Sequence, residues 1–385
     1  MAALLIFACA FALLGWLAVL SAPWQPHRTR ERIEAGTTPE SPALDDVTVL
    51  IPARDEAELI GCTVAALAQQ GVRLDVVLVD DQSSDGTAAI ATRCAAEARD
   101  SGLTLRVVAG RALPDGWAGK LWALEQGLAA VERPFVLLLD ADIELAPRMI
   151  PALLRAAHDR RAALVSVMAE LRCATPWEKL LTPAFVFFFK LLYPFALAND
   201  PAKRTAAAAG GCMLARTEDL RAIGGFASIR GALIDDCTLA AALKRARRPI
   251  WVGMSHSVKS LRAYPALGDF WQMVSRTAFT QLRYSLGLLL LATTLLAVTL
   301  LLPPAAAAAA PTFGAYRGAA LGALAWAAAA TAYWPTVRFY RLGAWWALTL
   351  PVAAALFLAM TWSSALGYWR GTRATWKNRS YGSTD

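Results

Sequence analysis

The chain has 385 residues, 57% of them hydrophobic and 18% charged, which is more apolar than a soluble enzyme usually is. Its formal charge of +8 is spread along the chain with no stacking-aromatic RNA motif beside it, so nucleic acid is excluded and anionic lipid or a phosphorylated ligand is the expected partner. Cys9, Cys62, Cys94, Cys173, Cys212 and Cys237 form no CxxC and no zinc-ligand spacing, which argues against a disulfide framework or structural metal and fits a reducing compartment.

Residues 3–20 carry no charge and are long enough to cross a bilayer. Nothing basic precedes them, whereas His27, Arg28, Arg30 and Arg32 follow, so 1–22 is expected to be an anchor that keeps the next domain cytoplasmic. A cleaved signal, for which Ser21 and Ala22 are small enough, is the less favoured alternative. Residues 23–45, rich in proline and charge and without periodicity, read as a linker.

From Val47 onward, strands at 47–51, 75–80, 103–108, 135–140 and 163–168 alternate with helices at 56–69, 86–99, 119–131 and from 147. This pattern predicts an α/β domain over 46–284 with a mostly parallel, Rossmann-like sheet and ligands bound beyond the carboxyl ends of its strands. The aromatic run at 176–198 is broken by Lys190 and two prolines, and reads either as an interfacial helix or as a buried core helix. Apolar stretches at 286–302, 316–335 and 344–366 fill the expected membrane region 285–368; they hold no internal acid or base and so read as anchors, not an ion path. The alanine-rich 305–310 reads as a loop between spans, and 369–385 as a basic tail. Three such spans leave Arg370, Arg373, Lys377 and Arg379 across the membrane from the domain, against the positive-inside rule. An interfacial last stretch or a re-entrant alanine-rich region would each resolve the conflict.

The chemistry-bearing residues cluster at predicted strand ends. Pro52, Arg54 and Glu56 stand where the first strand turns into its helix, and Asp80 and Asp81 end the second. Ser83–Thr87 reads as an ordinary capped turn. Asp140 and Asp142 are delivered one residue apart, where like charges repel unless a cation neutralises them; hard oxygen ligands suit Mg²⁺ or Mn²⁺. Asp235 and Asp236 open an amphipathic helix, whose dipole accounts for one acid and leaves the other, Asp236, available as a general base. Lys120, in GWAGK, stands either on a loop that closes over phosphate or on a plain helix start, and Gly210-Gly211 either admits substrate close to backbone or permits a bulge.

Taken in order, PARDE, VDDQSSDGT, GWAGK, the DAD and the acidic pair after a glycine-rich segment resemble the family 2 glycosyltransferases of GT-A fold, over about 47–285. The resemblance implies a nucleoside-diphosphate sugar donor, with Asp81 on its base, Asp140 on its ribose or the metal, Asp142 on the metal, and Asp236 taking the proton from the acceptor hydroxyl in an inverting transfer. Asp55 replaces the usual Asn. The (Q/R)xxRW motif is degenerate, with Gln272 and Arg276 present and Thr277 where Trp would stand, which implies a single transfer; Arg276 is expected at the diphosphate. GGCMLARTEDLRAIGG, ALIDDCTLA, SLRAYPALGDFWQMVSRTAFTQLRYS and the ending Trp376-Lys377-Asn378-Arg379 resemble the bacterial hopanoid-associated glycosyltransferases. That implies a UDP-sugar donor, a hopanoid-like lipid acceptor, and a multi-pass protein of the bacterial cytoplasmic membrane with its catalytic domain inside. Ceramide- or carotenoid-type acceptors and a non-catalytic scaffold of the hopanoid system are the alternatives. Arg262 and Tyr264 read either as helpers at the diphosphate or as membrane-surface anchors.

Overall fold

The computed structural model describes residues 2–36, 43–371, 375, 376, 379 and 380. In chain order its principal elements are α1 (Ala2–Ser21), β1 (Val47–Ala53), α2 (Ile60–Leu67), β2 (Asp75–Asp80), α3 (Thr87–Glu97), β3 (Thr104–Ala109) and α4 (Gly119–Leu128). There follow β4 (Phe135–Leu139), β5 (Ile143–Leu145), α5 (Met149–Asp159), β6 (Leu164–Glu170), α6 (Pro176–Leu192), α7 (Phe195–Asn199), β7 (Cys212–Arg216) and α8 (Thr217–Ala222). The last are α9 (Asp235–Arg245), β8 (Ile250–Ser260), α10 (Leu267–Ser275), α11 (Ala278–Gln281), α12 (Leu286–Leu296), α13 (Leu302–Ala309), α14 (Tyr316–Phe339) and α15 (Leu350–Trp369). They form two compact units. One draws on Arg30–Arg172 and Leu197–Ala263; the other draws on Met1–Thr29, Cys173–Ala196 and Tyr264–Arg373. Residues 173–196 and 264–284, which the sequence reading assigns to the α/β domain, thus group with the apolar helices.

The α/β unit is built on an eight-stranded sheet of order β3-β2-β1-β4-β7-β6-β8-β5. The expected parallel alternation holds for β3, β2, β1 and β4; β6 runs parallel to β8, a strand that the sequence reading does not predict. β7 runs antiparallel to both β4 and β6, and β5 antiparallel to β8, so the sheet is mixed. None of β5, β7 and β8 is marked in the sequence by period: β5 has three residues, β7 follows an Ala/Gly run, and β8 is broken by Gly253 and several polar residues.

β1 is buried along its whole length because helices cover both faces. Val49, Ile51, Leu137 and Leu139 join the core containing α2 and α5, while Leu50, Val136 and Leu138 join the one containing α4 and α9. Each such side chain stabilises the fold by about 1.5–3 kcal/mol. Gly127 lets α4 approach closely, since a Cβ there would lie 2.2 Å from Leu50 Cδ1 and 2.8 Å from Val79 Cγ2. Part of the expected linker is ordered along β8: Met254 N donates to Glu31 O (2.9 Å), Ile33 N donates to Met254 O (3.2 Å), and Glu34 accepts from the Ser255 and Ser257 hydroxyls (2.9 and 2.7 Å).

In the other unit, α6 starts at a capping box in which Thr175 Oγ1 accepts from Glu178 N (3.2 Å) and Glu178 Oε2 from Thr175 N (3.0 Å), with Pro176 at the first helical position. Its Leu181, Ala184, Phe187 and Lys190 are buried, Trp16 stacks on Phe187, and Lys190 donates to Arg28 O. Among the described residues three helices are long and apolar enough to cross a membrane: Ala3–Ser21, Leu286–Phe313 and Ala344–Trp369. The stretch expected as a span at 316–335 lies in α14, which is not among them; the alanine-rich 305–310 is helical from 302 and continues α12, so it is not a loop between spans. Arg373, Lys377 and Asn378 lie outside the described residues.

Candidate active site

The parallel strands β1, β2 and β4 present their carboxyl ends together, and the first acidic groups sit there. The loop after β1 is tied to the loop after β2. Arg54 Nη1 donates to Asp81 O (2.5 Å), Asp55 N to Ser83 Oγ (3.0 Å), Glu56 N to Thr87 Oγ1 (2.8 Å), and Ala57 N to Asp85 Oδ2 (2.9 Å), while Asp55 Oδ1 accepts from Ser84 N (2.8 Å). Ser83–Thr87 is therefore more than the capped turn of the sequence reading, since it also holds the PARDE loop in place. Pro52 lies within β1 opposite Val79 and is buried. Asp80 ends β2, its Oδ1 accepting from Ser83 N (3.2 Å); Asp81 is fully buried, with its amide donating to Ala53 O (2.8 Å).

Asp140 and Asp142 flank the short turn between β4 and β5. Asp140 N donates to Gly211 O (3.0 Å), and Thr63 Oγ1, from α2, donates to Ala141 O (2.8 Å), so both neighbours hold the turn. Lys120, the second residue of α4, brings its ammonium 2.7 Å from Asp140 Oδ1 and 3.4 Å from Asp235 Oδ2. These two carboxylates hold Lys120 charged against the opposing effect of burial. Burial and the proximity of Asp142 raise the Asp140 carboxyl, with Lys120 opposing. Arg262, just beyond β8, closes the other side: its Nε is 2.8 Å from Asp142 Oδ2, and its Nη2 is 2.7 Å from both Glu56 oxygens.

α9 delivers the last acidic pair and separates its members. Asp235 faces Lys120. Asp236 is held by backbone, Oδ2 accepting from Gly210 N (2.9 Å) and Oδ1 from Cys237 N (2.6 Å). Burial, then the charge of Asp235, raise the Asp236 carboxyl to about 7, despite those two amides and Lys120. The loop carrying Gly210 is fixed by Ser166, fully buried on β6, whose Oγ accepts from Ala209 N (2.7 Å) and donates to Ala209 O (3.1 Å).

Asp140, Asp142, Asp235, Asp236, Lys120, Glu56 and Gly211 are thus linked through direct contacts or shared partners. Arg54, Asp80 and Asp81 form the adjoining strand ends. Arg276 follows α10 in the other unit and is exposed. The sequence reading overlooks Thr63, Ser166 and Gly110. Ser166 had a signal, a lone hydroxyl inside an apolar strand; Gly110 had none, although a Cβ there would lie 2.8 Å from Asp80 O and 3.0 Å from Asp81 Cα. Among the described residues no third His, Cys, Asp or Glu joins the DAD carboxylates in a metal-holding group. A hard divalent ion still fits the two, because Mg²⁺ and Mn²⁺ commonly take one or two carboxylates and complete their shells with water and phosphate oxygens.

Residues 48–224 match the family model described as "Glycosyl transferase family 2". Over 125 residues the chain is 38% identical to undecaprenyl-phosphate 4-deoxy-4-formamido-L-arabinose transferase of Sodalis glossinidius, covering 31% of this chain and 36% of that one. A 4,4'-diaponeurosporenoate glycosyltransferase of Staphylococcus haemolyticus is 30% identical over 106 residues, 28% of this chain and 26% of that one. The chain therefore spans about a quarter to a third of these two curated relatives. In fold it is similar to a mannosyltransferase from Pyrobaculum calidifontis solved with GDP-Man and Mn²⁺, with TM-score 0.54 at 21% identity over 95% of this chain and 99% of that one. The fold of the α/β unit is thus GT-A, a mixed and partly parallel sheet with acidic strand ends, and within it residues 48–224 resemble the glycosyl transferase family 2 domain.

Proposed function

We propose that the protein is a membrane-bound, inverting glycosyltransferase that moves a sugar from a UDP-sugar to a lipid acceptor, probed first as a hopanoid. The observation that carries this reading is the division of labour among the carboxylates. Asp140 and Asp142 lie beside cations at the strand ends, while Asp236 is raised to about 7 and held by two amides. A carboxylate with both oxygens aligned and its pKa near the working pH suits removal of the acceptor hydroxyl proton as that oxygen attacks the anomeric carbon. One such base is enough for inversion. Lys120 stabilises charge on the leaving diphosphate, and the strand-end residues Asp80 and Asp81 contact the nucleoside. A divalent ion at Asp140 and Asp142, when bound, neutralises the sugar donor's phosphates. The relatives above are named for undecaprenyl-phosphate and 4,4'-diaponeurosporenoate, which supports a lipid acceptor.

The test is binding of labelled UDP-sugar with Mn²⁺, compared with Asp142→Ala, together with lipid profiling of a deletion strain restored with Asp236→Asn. Retained binding in Asp142→Ala removes the metal role. A changed lipid other than a hopanoid moves the acceptor to the carotenoid or ceramide class, and an unchanged profile removes the lipid reading.

The proposal includes a bacterial cytoplasmic membrane location with the catalytic unit on the cytoplasmic side. Contacts within the helical unit support a re-entrant Ala344–Trp369. Trp326, midway along α14, donates to Leu348 O (3.1 Å), whereas Trp362 donates to Thr293 Oγ1 (3.0 Å) and Tyr368 stacks on Tyr284 at the foot of α12 (4.5 Å). The segment starts level with mid-α14 and returns to the side where α12 begins. Arg370 then joins Arg283 on one side, as the positive-inside rule requires. This topology makes α14 the return crossing, so reporter fusions after Gly343 and Gly371 should read one side and a fusion after Gly314 the other; Gly343 reading with Gly314 overturns it.

A further inference from the structure

Resting on the proposed reading of the DAD turn, we propose that Arg262 is a tethered counter-cation that occupies Asp142 whenever metal and sugar donor are absent, and must leave it when they bind. The argument starts from charge. Glu56 and Asp142 bring two carboxylates to one spot, with 11% and 13% of their side chains exposed, and such a pair is destabilising without a cation between them. The Arg262 guanidinium supplies it from within the chain: Nε meets Asp142 Oδ2 at 2.8 Å and Nη2 meets both Glu56 oxygens at 2.7 Å. A guanidinium stays charged at any working pH, so the cation cannot be removed by deprotonation.

This arrangement sets a fixed positive charge against a second cation approaching Asp142 Oδ2 while the contact lasts. A divalent ion binding there displaces the guanidinium, which keeps Glu56 as a partner and turns its freed face toward the incoming phosphates. Because Arg262 is planar and forked, it can exchange one carboxylate for a phosphate oxygen while the bond to Glu56 persists. Metal affinity without nucleotide is therefore suppressed, and nucleotide and metal favour each other's binding beyond their direct contact. Arg262 acts as a positioning residue that makes the empty site reject free metal.

The experiment uses the full chain in detergent and measures Mn²⁺ affinity by titration with and without UDP, for wild type, Arg262→Gln, Arg262→Lys and Asp142→Ala, with thermal melting to confirm folding. Arg262→Gln should bind Mn²⁺ about tenfold tighter than wild type without UDP, and its gain on adding UDP should shrink by a similar factor. Arg262→Lys should fall between the two. Glu56→Gln, which takes away the partner that holds the displaced guanidinium, gives a second reading should Arg262→Gln fold poorly, and it should lower Mn²⁺ affinity in the absence of UDP. Equal or weaker Mn²⁺ binding in Arg262→Gln, with binding still lost in Asp142→Ala, overturns the counter-cation role alone. Equal binding in wild type and Asp142→Ala with UDP overturns the metal reading as well.

Discussion

Asp236→Asn separates the proton-taking role of Asp236 from its place in the fold. The amide keeps the shape, and its carbonyl oxygen can still accept from Gly210 N or Cys237 N, but it takes no proton. The native carboxyl is raised from 3.8 to about 7. At 1.36 kcal/mol per unit this separates the two protonation states by about 4 kcal/mol, and partial solvent contact screens the share visible in global stability to about 2 kcal/mol. The folded pKa lies above the unfolded one, so the native state holds the extra proton between about pH 4 and pH 7, and stability falls as pH rises through that window. Asp236→Asn removes the fall. Its melting temperature relative to wild type should therefore rise by about 5 °C from pH 4 to pH 8.5, by differential scanning fluorimetry of the full chain, the amide's loss of one N–H partner being the same at both pH values. In the transfer assay, wild-type rate should rise with pH to a half-maximum near 7 and then level, while Asp236→Asn binds UDP-sugar normally and loses at least about 100-fold in turnover. A flat pH profile between about 5.5 and 8, or substantial turnover in Asp236→Asn, would refute the reasoning.

Lys120→Met leaves Asp140 and Asp235 without their shared cation. It should weaken UDP-sugar binding at least about tenfold by titration and move the midpoint of the pH profile upward, because one influence lowering the Asp236 carboxyl is gone. Ser166→Ala removes both hydrogen bonds that hold the Ala209 backbone, so about 1–3 kcal/mol of stability should be lost in a melt, and turnover should fall with Asp236 less well placed. Gly110→Ala drives a methyl into Asp80 O, a backbone atom with no rotamer to yield; about 1–3 kcal/mol of destabilisation and weaker nucleotide binding are expected, and unchanged affinity would detach Gly110 from the site.

Much of the unit was legible locally. β1, β2, β3, β4 and β6 are short apolar runs whose length and composition mark them, and the acids at their ends were readable because a parallel strand delivers its last residues to one edge. Asp80, Asp81, Asp140 and Asp142 needed little more than that rule. The antiparallel β7, the three-residue β5 and the broken β8 were not legible, since their pairing comes from distant partners.

The acidic pairs, the lysine after GWAG and the apolar ends were thus determined by the amino-acid order itself, through strand alternation and uninterrupted hydrophobic length. Tertiary structure decided which charges meet. It brought Lys120 between Asp140 and Asp235, clamped Arg262 across Asp142 and Glu56 from some 120 and 206 residues away, and gave Asp236 two amides and a raised pKa. These contacts depend on Coulomb attraction and hydrogen bonding over a few ångströms of space, which separation along the chain does not encode.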